Sequence, residues 1–221
     1  MIIEKGLFHY PWENSIENNC NSYIISEDLT ALIDVGHLKH LGRLLACMEE
    51  DGFTPADLNL IMSTHCHPDH FEGISQFVES EVAMAMHQEE ERYLKAHGET
   101  LYQMMGITSP RFRADFYLSE GTLELGKIDI EVYHTPGHSP GSLCFYWPQK
   151  KVLISGDVVF SGGVGRTDFP GGDANQLKHS IQRLSQLDIE AFLPGHGEII
   201  MGKQSVLQNF TFIRENYFPI L

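Results

Sequence analysis

A chain of 221 residues with 42% apolar side chains is long enough to bury a substantial core, and a single domain over residues 1–221 is expected. Its formal charge of −15 offers no basic track for long nucleic acids and disfavours an anionic membrane surface; a small anionic substrate would need local help from Arg111, Arg113, Arg166 or Lys203. No apolar run reaches the roughly 18–20 residues of a spanning helix, and Met1 to Gly6 lacks the basic-then-apolar pattern of a signal peptide.

The elements alternate between short strands and helices. Asn21 to Ser26 and Thr30 to Val35 read as paired strands turning at Glu27-Asp28. Leu38, Leu41, Leu44, Leu45 and Met48 recur at helical spacing, which predicts a helix from His37 to Asp51. A strand follows over Leu58 to Ser63, then a helix over Gly73 to Glu79 and a strand over Val82 to Met86. The segment from His87 to Glu120 begins with Glu89-Glu90-Glu91-Arg92 and continues with Tyr93, Tyr102, Met104, Met105, Phe112, Phe116 and Tyr117. It reads either as a pocket wall or lid, or as a helical cover.

Strands are expected over Leu123 to Tyr133, Ser142 to Trp147, Lys151 to Ile154 and Ala191 to Leu193. Helices are expected over Asn175 to Leu187 and Lys203 to Tyr217. Thr30 to Gly36 and Lys151 to Asp157 are loosely alike, a hint of two related halves.

The chemistry concentrates in His65-Cys66-His67-Pro68-Asp69-His70. His65, His67 and Asp69 share one parity, so a turn leaving the preceding strand could aim all three at one point, with His70 at a neighbouring point. Imidazole and carboxylate suit zinc, iron(II) and manganese, and two ions side by side fit such a loop. Further candidates each stand in a turn behind an apolar run: His138 in a TPGHSPGS stretch, Asp157 after Ser155-Gly156, and His196 in Pro194-Gly195-His196-Gly197. Twelve histidines in the chain make chance the competing explanation, but the order and turn contexts of this set argue against it.

These motifs, from Asn21 to about Phe212, resemble the metallo-β-lactamase superfamily. Gly156 to Asp173 is similar to the small glyoxalase II-like hydrolases, and Gly165-Arg166-Thr167-Asp168-Phe169 also resembles persulfide dioxygenases of that superfamily. The resemblance implies an α/β fold, an αββα four-layer sandwich of two mixed sheets flanked by helices. It implies two divalent cations, zinc expected and iron or manganese as alternatives. His65, His67 and His138 would hold the first, Asp69, His70 and His196 the second, and Asp157 would bridge them. Asp34 would prop the ligand loop through hydrogen bonds. Lactamases proper carry a different residue in place of Asp157, or an arginine in place of His70, so antibiotic hydrolysis is not expected. Larger glyoxalase II enzymes end in a basic helical domain that grips glutathione; about two dozen residues follow His196 here, so that grip is not expected.

The function implied is a metal-dependent hydrolase acting on a small-molecule thioester. Water shared by two cations would supply hydroxide near neutral pH, with Asp69 orienting it and Asp157 bridging. The alternative is a mononuclear iron dioxygenase acting on a persulfide, using His65, His138 and Asp157. A non-enzymatic metal-binding domain is a third reading. Arg166 is expected either to grip an anionic substrate or to form a buried ion pair with Asp168. Cys20, Cys47, Cys66 and Cys144 show no framework spacing and read as reduced thiols of a cytoplasmic protein, with Cys66 a buried filler. His9, His37, His40, His87, His97 and His179 fall outside ligand spacing, and His134 reads as a strand-end histidine. The oligomeric state is not fixed by the sequence.

Overall fold

Inward- and outward-facing residues alternate along the strands of two sheets, and that alternation builds three apolar layers in the computed structural model, which describes residues 2–14 and 16–221. The chain begins with strands β1 (Ile2–Glu4), β2 (Leu7–Tyr10), β3 (Ser22–Ser26) and β4 (Thr30–Ile33), followed by helix α1 (Leu38–Glu50). Strand β5 (Leu60–Met62) leads into the short helix α2 (Pro68–Phe71). Then come β6 (Ala83–His87), helix α3 (Gln88–Met104), β7 (Phe116–Leu118), β8 (Gly121–Leu125), β9 (Ile128–His134), β10 (Leu143–Trp147) and β11 (Val152–Gly156). The hairpin β12 (Val159–Phe160) and β13 (Gly163–Val164) precedes helix α4 (Ala174–Leu184), β14 (Ala191–Pro194), β15 (Ile200–Met201) and helix α5 (Lys203–Asn216).

Among the described residues, one sheet runs in the order β1-β2-β3-β4-β5-β6-β7 and the other β15-β14-β11-β10-β9-β8. Both are mixed: β4, β5, β6 and β7 pair in parallel, as do β11 and β14, while the other neighbours are antiparallel. Tyr23, Ile25, Ala31, Ile33, Leu60 and Met62 face Val132, Phe145, Ile154 and Leu193 between the sheets. The alternate residues Ile24, Leu32 and Ile61 face outward, against Leu41 and Met48 of α1 and Leu94 and Leu101 of α3. On the far side Leu153 and Phe192 meet Leu177 and Ile181 of α4 and Phe210 and Ile213 of α5. This is the expected αββα sandwich.

The strand directions decide where chemistry can occur. Strands β4 and β5 run together, and so do β9, β11 and β14, because β9 and β11 each pair antiparallel with β10. Their C-terminal ends, and the turns carrying every ligand candidate, therefore open at shared sheet edges. The likeness between residues 30–36 and 151–157 has a counterpart here: β4 and β11 each end beside an aspartate, Asp34 and Asp157, and each has a parallel neighbour.

Two expected elements change. The helix expected over residues 73–79 is only a 3-10 turn over Glu72–Gln76. Gly73 donates its N–H to Gly36 O at 2.8 Å, and this close approach to the exit of β4 leaves no room for a longer cylinder. The strand expected over residues 123–133 is a hairpin, broken where Gly126 adopts φ 65° between β8 and β9. The segment from 87 to 120 proves to be mainly a cover: α3 packs Tyr93, Leu94, Leu101 and Tyr102 onto the first sheet.

Candidate metal centre

The turn after β5 and the helix α2 that follows it divide their side chains between two places, His65 and His67 at one and Asp69 with His70 at the other. Asp69 already lies on the first turn of α2, and not in the extended chain whose parity would have aimed it with His65 and His67. His65, His67 and His138 offer nitrogens that lie mutually within 4.8 Å, and so do the donor atoms of Asp69, His70 and His196. His65, His70 and Asp157 form a third such group, joining the first two. Asp157 stands between the sets: Oδ1 lies 3.0 Å from His70 Nε2, and Oδ2 lies 3.4 Å from His196 Nε2 and 3.7 Å from His138 Nε2. All seven expected ligand positions thus meet at the strand ends. Gly195 permits this closeness, since a Cβ there would collide with Asp157 Oδ1 and come within 2.7 Å of His70 Cε1.

Hydrogen bonds to the far side of the His138, His65 and His70 rings fix how each is oriented. His138 Nδ1 lies 2.8 Å from Arg166 O, which only accepts, so this nitrogen carries the proton and Nε2 does not. Thr64 Oγ1 donates to Asp34 Oδ2 at 2.7 Å and is free to accept from His65 Nδ1 at 3.1 Å, which leaves His65 Nε2 bare. The two bare nitrogens face each other across 3.2 Å, and His67 Nδ1 comes within 2.7 Å of His138 Nε2. His70 Nδ1 donates to Asp34 Oδ2 at 2.8 Å and turns Nε2 toward Asp157 and His196. Lone pairs directed at one another are repulsive unless a cation or proton lies between them, so the donor set fits a pair of cations.

Burial, and then the neighbouring imidazoles, hold His65 well below the ordinary histidine range; burial and His138 push His67 down to about 3. His65 and His67 are therefore neutral and ready to ligate at neutral pH. The second set differs. Burial opposes charge on Asp157 and Asp69, yet His70 and His196 hold both carboxyls well below their usual range. Reciprocally, burial disfavours the His196 imidazolium, but Asp157 and Asp69 outweigh it and raise the group to about 9; the Asp157 and Asp34 carboxylates help raise His70 likewise.

Asp34 occupies the propping position expected of it. It accepts Thr64 N–H at 2.8 Å besides the Thr64 hydroxyl and the His70 ring, and it sits at φ 57°, a left-handed conformation that aspartate tolerates better than most residues. Other supports were not legible. Glu90, fully buried in α3, accepts from Cys66 N at 2.9 Å, Ser139 Oγ at 2.8 Å and Gly141 N at 2.8 Å, tying the first ligand turn to the turn that carries His138. The one available signal was spacing, since Glu90 shares a helical face with Tyr93, Leu94 and Leu101. Asn18 donates to Asp69 Oδ2 at 2.7 Å, and Asn21 Nδ2 donates to Pro194 O and Gly197 O, fixing the His196 turn. Asn209 of α5 holds the β12–β13 hairpin, accepting from Gly162 N and donating to Phe160 O.

A cavity of about 340 Å³ opens above the ligands, walled by Met105, Phe160, Val164, Phe169, Asn18 and Arg166. Met105 gives the 87–120 segment a share in that wall. Arg166 is paired with Asp168, as one of its two expectations held, but at the rim rather than buried, with 53% of its side chain exposed. The remaining histidines have other partners: His37 with Glu72, His87 stacked on His134, and His134 Nε2 with Pro140 O. Cys66 is buried in the core beside α3, and its four-cysteine set holds no disulfide.

Residues 16–196 match the metallo-beta-lactamase superfamily, and the chain belongs to that family. It is 33% identical to a probable metallo-hydrolase of Bacillus subtilis over 79% of this chain and 83% of the relative. It is 34% identical to the hydroxyacylglutathione hydrolase GloC of Haemophilus influenzae, over 83% and 87% respectively. Among solved structures, TTHA1623 in a di-iron-bound form superposes with a TM-score of 0.76 at 28% identity, covering 97% of this chain and all of that one (100%). The B3 metallo-beta-lactamase BLEG-1 superposes with a TM-score of 0.75 at 27% identity, over 97% and 100%. The chain is a metallo-hydrolase of this superfamily.

Replacing Glu90 with alanine leaves the buried N–H groups of Cys66 and Gly141 unsatisfied, at roughly 1–3 kcal/mol each, and the Ser139 hydroxyl with Ser142 Oγ alone. Glu90→Ala is expected to lose about 3 kcal/mol or more in urea unfolding and to retain less metal, whereas wild-type stability and metal content would contradict its cross-linking role. A cation entering the second set must displace protons from His70 and His196. The proton-bound His196 stabilises chelator-treated protein fully below about 6.5, and this contribution is lost as pH rises through about 9. Apparent affinity for the second cation should accordingly rise with pH, and the share due to His196, up to about tenfold per unit, should level off above about pH 9. Competition against a chromophoric chelator measures it; a pH-independent affinity would contradict the assignment.

Proposed function

We propose that the protein hydrolyses acyl-thioesters, with two divalent metal ions, zinc first among them, held by His65, His67 and His138 and by Asp69, His70 and His196, and bridged by Asp157. Bound there, the cations would supply a hydroxide nucleophile at neutral pH and an electrophile for the carbonyl oxygen. The observation that carries the thioester reading is the composition of the cavity wall. Among the described residues that line it there is no serine, tyrosine or lysine to protonate a leaving group. A thiol, with a pKa of roughly 8.5, departs as thiolate without such help, unlike an alcohol or amine. In the balanced reaction the water oxygen joins the acyl carbon, the carbon–sulfur bond breaks, one water proton passes to the departing sulfur, and a carboxylate, a thiol and one proton are released. The hydroxyacylglutathione hydrolase relative supports this substrate class.

Asp69 is a poor proton acceptor, because His196 and His70 hold its carboxyl low; its part is to orient the nucleophile, with Asn18 fixing its Oδ2. Asp157 sets the separation of the two ligand sets. Asp34 and Thr64 fix the ring faces of His70 and His65. Arg166 contacts substrate at the rim. A mononuclear dioxygenase using His65, His138 and Asp157 gains no support from the geometry, since His67 Nδ1 lies nearer to His138 Nε2 than His65 does. The four free cysteines accord with a cytoplasmic location, and no helix among the described residues is long and apolar enough to cross a membrane.

Metal-loaded protein should release thiol from acyl-thioesters, followed with a thiol-reactive dye, and Asp157→Ala should lower kcat/KM by roughly 10²-fold or more. Equal activity of the two proteins, or none, would overturn the reading; oxygen uptake with a persulfide would replace it with the dioxygenase.

A further inference from the structure

Two buried polar atoms beside the first ligand set have no hydrogen-bond partner in the fold: His67 Nε2 and the Tyr93 hydroxyl. The two residues are 3% and 4% exposed. An orphaned buried polar group is rare and costly, so two in neighbouring rings demand a physical reason. The ring centres lie 6.3 Å apart at 71°, near enough for the hydroxyl at the end of one ring to reach the nitrogen at the edge of the other.

The polar groups around the pair are already engaged. Glu90 Oε1 accepts from Cys66 N, and Oε2 from Ser139 Oγ and Gly141 N. Cys66 O accepts from the Tyr102 hydroxyl at 3.0 Å. Apolar and backbone atoms cover the rest: the Phe169 ring meets His67 edge-on with centroids 5.5 Å apart, and a Cβ on Gly171, at φ 82°, would come within 3.1 Å of Tyr93 Cε2.

The ligand geometry decides which His67 nitrogen carries the proton. Nδ1 lies 2.7 Å from His138 Nε2, which is bare because His138 Nδ1 donates to Arg166 O. His67 can therefore join His65 and His138 around a cation only through Nδ1. A neutral imidazole that ligates through Nδ1 holds its one proton at Nε2. Metal-bound histidines ordinarily donate that outer proton to a carboxylate, a carbonyl or water. Burial, then Cys66 and Glu90, push the Tyr93 phenol up, so its hydroxyl stays neutral and its oxygen is free to accept.

Resting on the assignment of His65, His67 and His138 as ligands, we infer that Tyr93 is a positioning residue for His67: its hydroxyl oxygen accepts the Nε2 proton of metal-bound His67 and so holds Nδ1 on the first cation. A neutral acceptor fixes the ring without raising its basicity as a carboxylate would, which keeps the site more electrophilic.

The test compares the full chain with its Tyr93→Phe variant, with zinc as the probe. In long-range proton–nitrogen NMR correlations of the zinc-loaded wild type, His67 is expected to carry its ring proton on Nε2, in slow exchange with water. Tyr93→Phe should move that proton signal upfield and speed its exchange. It should also weaken zinc binding at the first set by about tenfold or more, read by competition with a chromophoric chelator. Chelator-treated Tyr93→Phe should be at least as stable in urea as the wild type, because it loses an unpartnered buried oxygen. A wild type that holds two zinc ions but carries the His67 proton on Nδ1 would overturn the inference alone. So would an Nε2–H signal or a zinc affinity unmoved by Tyr93→Phe. A wild type that holds no zinc would overturn the ligand assignment itself, and the inference with it.

Discussion

The carboxylate of Asp34 is the contact on which the site depends. It takes the Thr64 N–H, the Thr64 hydroxyl and the His70 ring proton, and through Thr64 it settles the His65 ring as well. Both rings are thereby oriented, His65 presenting a bare Nε2 to the first set and His70 turning its Nε2 toward Asp157 and His196. A ligand set of this kind is held against its own electrostatics, and the cost is met by packing and hydrogen bonds that surround it. Glu90 performs the same service on the opposite side, joining the turn of His65 and His67 to that of His138.

The sandwich makes such preorganisation feasible. Residues of one parity close the gap between the sheets, and residues of the other parity receive the helices, so each strand that ends at the site is clamped on both faces. The turns leaving those strands are then short and have little freedom. Only the outer wall of the cavity rests on lighter structure. The β12–β13 hairpin is a two-stranded element held by Asn209 and by the Tyr217 hydroxyl on Gly162 O, and it carries Phe160 and Val164.

The sequence made the ligand candidates legible and left the supports obscure, for a physical reason. Ligand residues are few in type and recur at spacings that one turn can satisfy, so His65, His67, Asp69 and His70 stand out locally, and His138, Asp157 and His196 stand out by their glycine-rich turns. Glu90 does not, because it lies within Glu89-Glu90-Glu91-Arg92, where a charged run reads as a solvated helix end; only the fold shows that its face is buried. Asn18, Asn21 and Asn209 act across gaps of 51, 173 and 49 residues, distances over which spacing carries no information. Strands β1, β2 and β7 are three or four residues long and show too little periodicity to be read in advance. At the Gly126 hairpin the apolar residues change parity, from Leu123 and Leu125 to Ile128, Ile130 and Val132, and the glycine between them marks the turn that the single expected strand ran through.

Seven side chains bring together two adjoining sets of candidate metal-binding donors, with Asp157 between them. Elemental analysis of protein purified without oxygen, expressed as metal per chain, tests most directly whether they hold two cations. Close to two divalent ions per chain are expected, since the donor atoms of both sets are assembled and the Asp157 carboxylate faces each. A single ion, or none after reconstitution, would contradict the two-cation assignment.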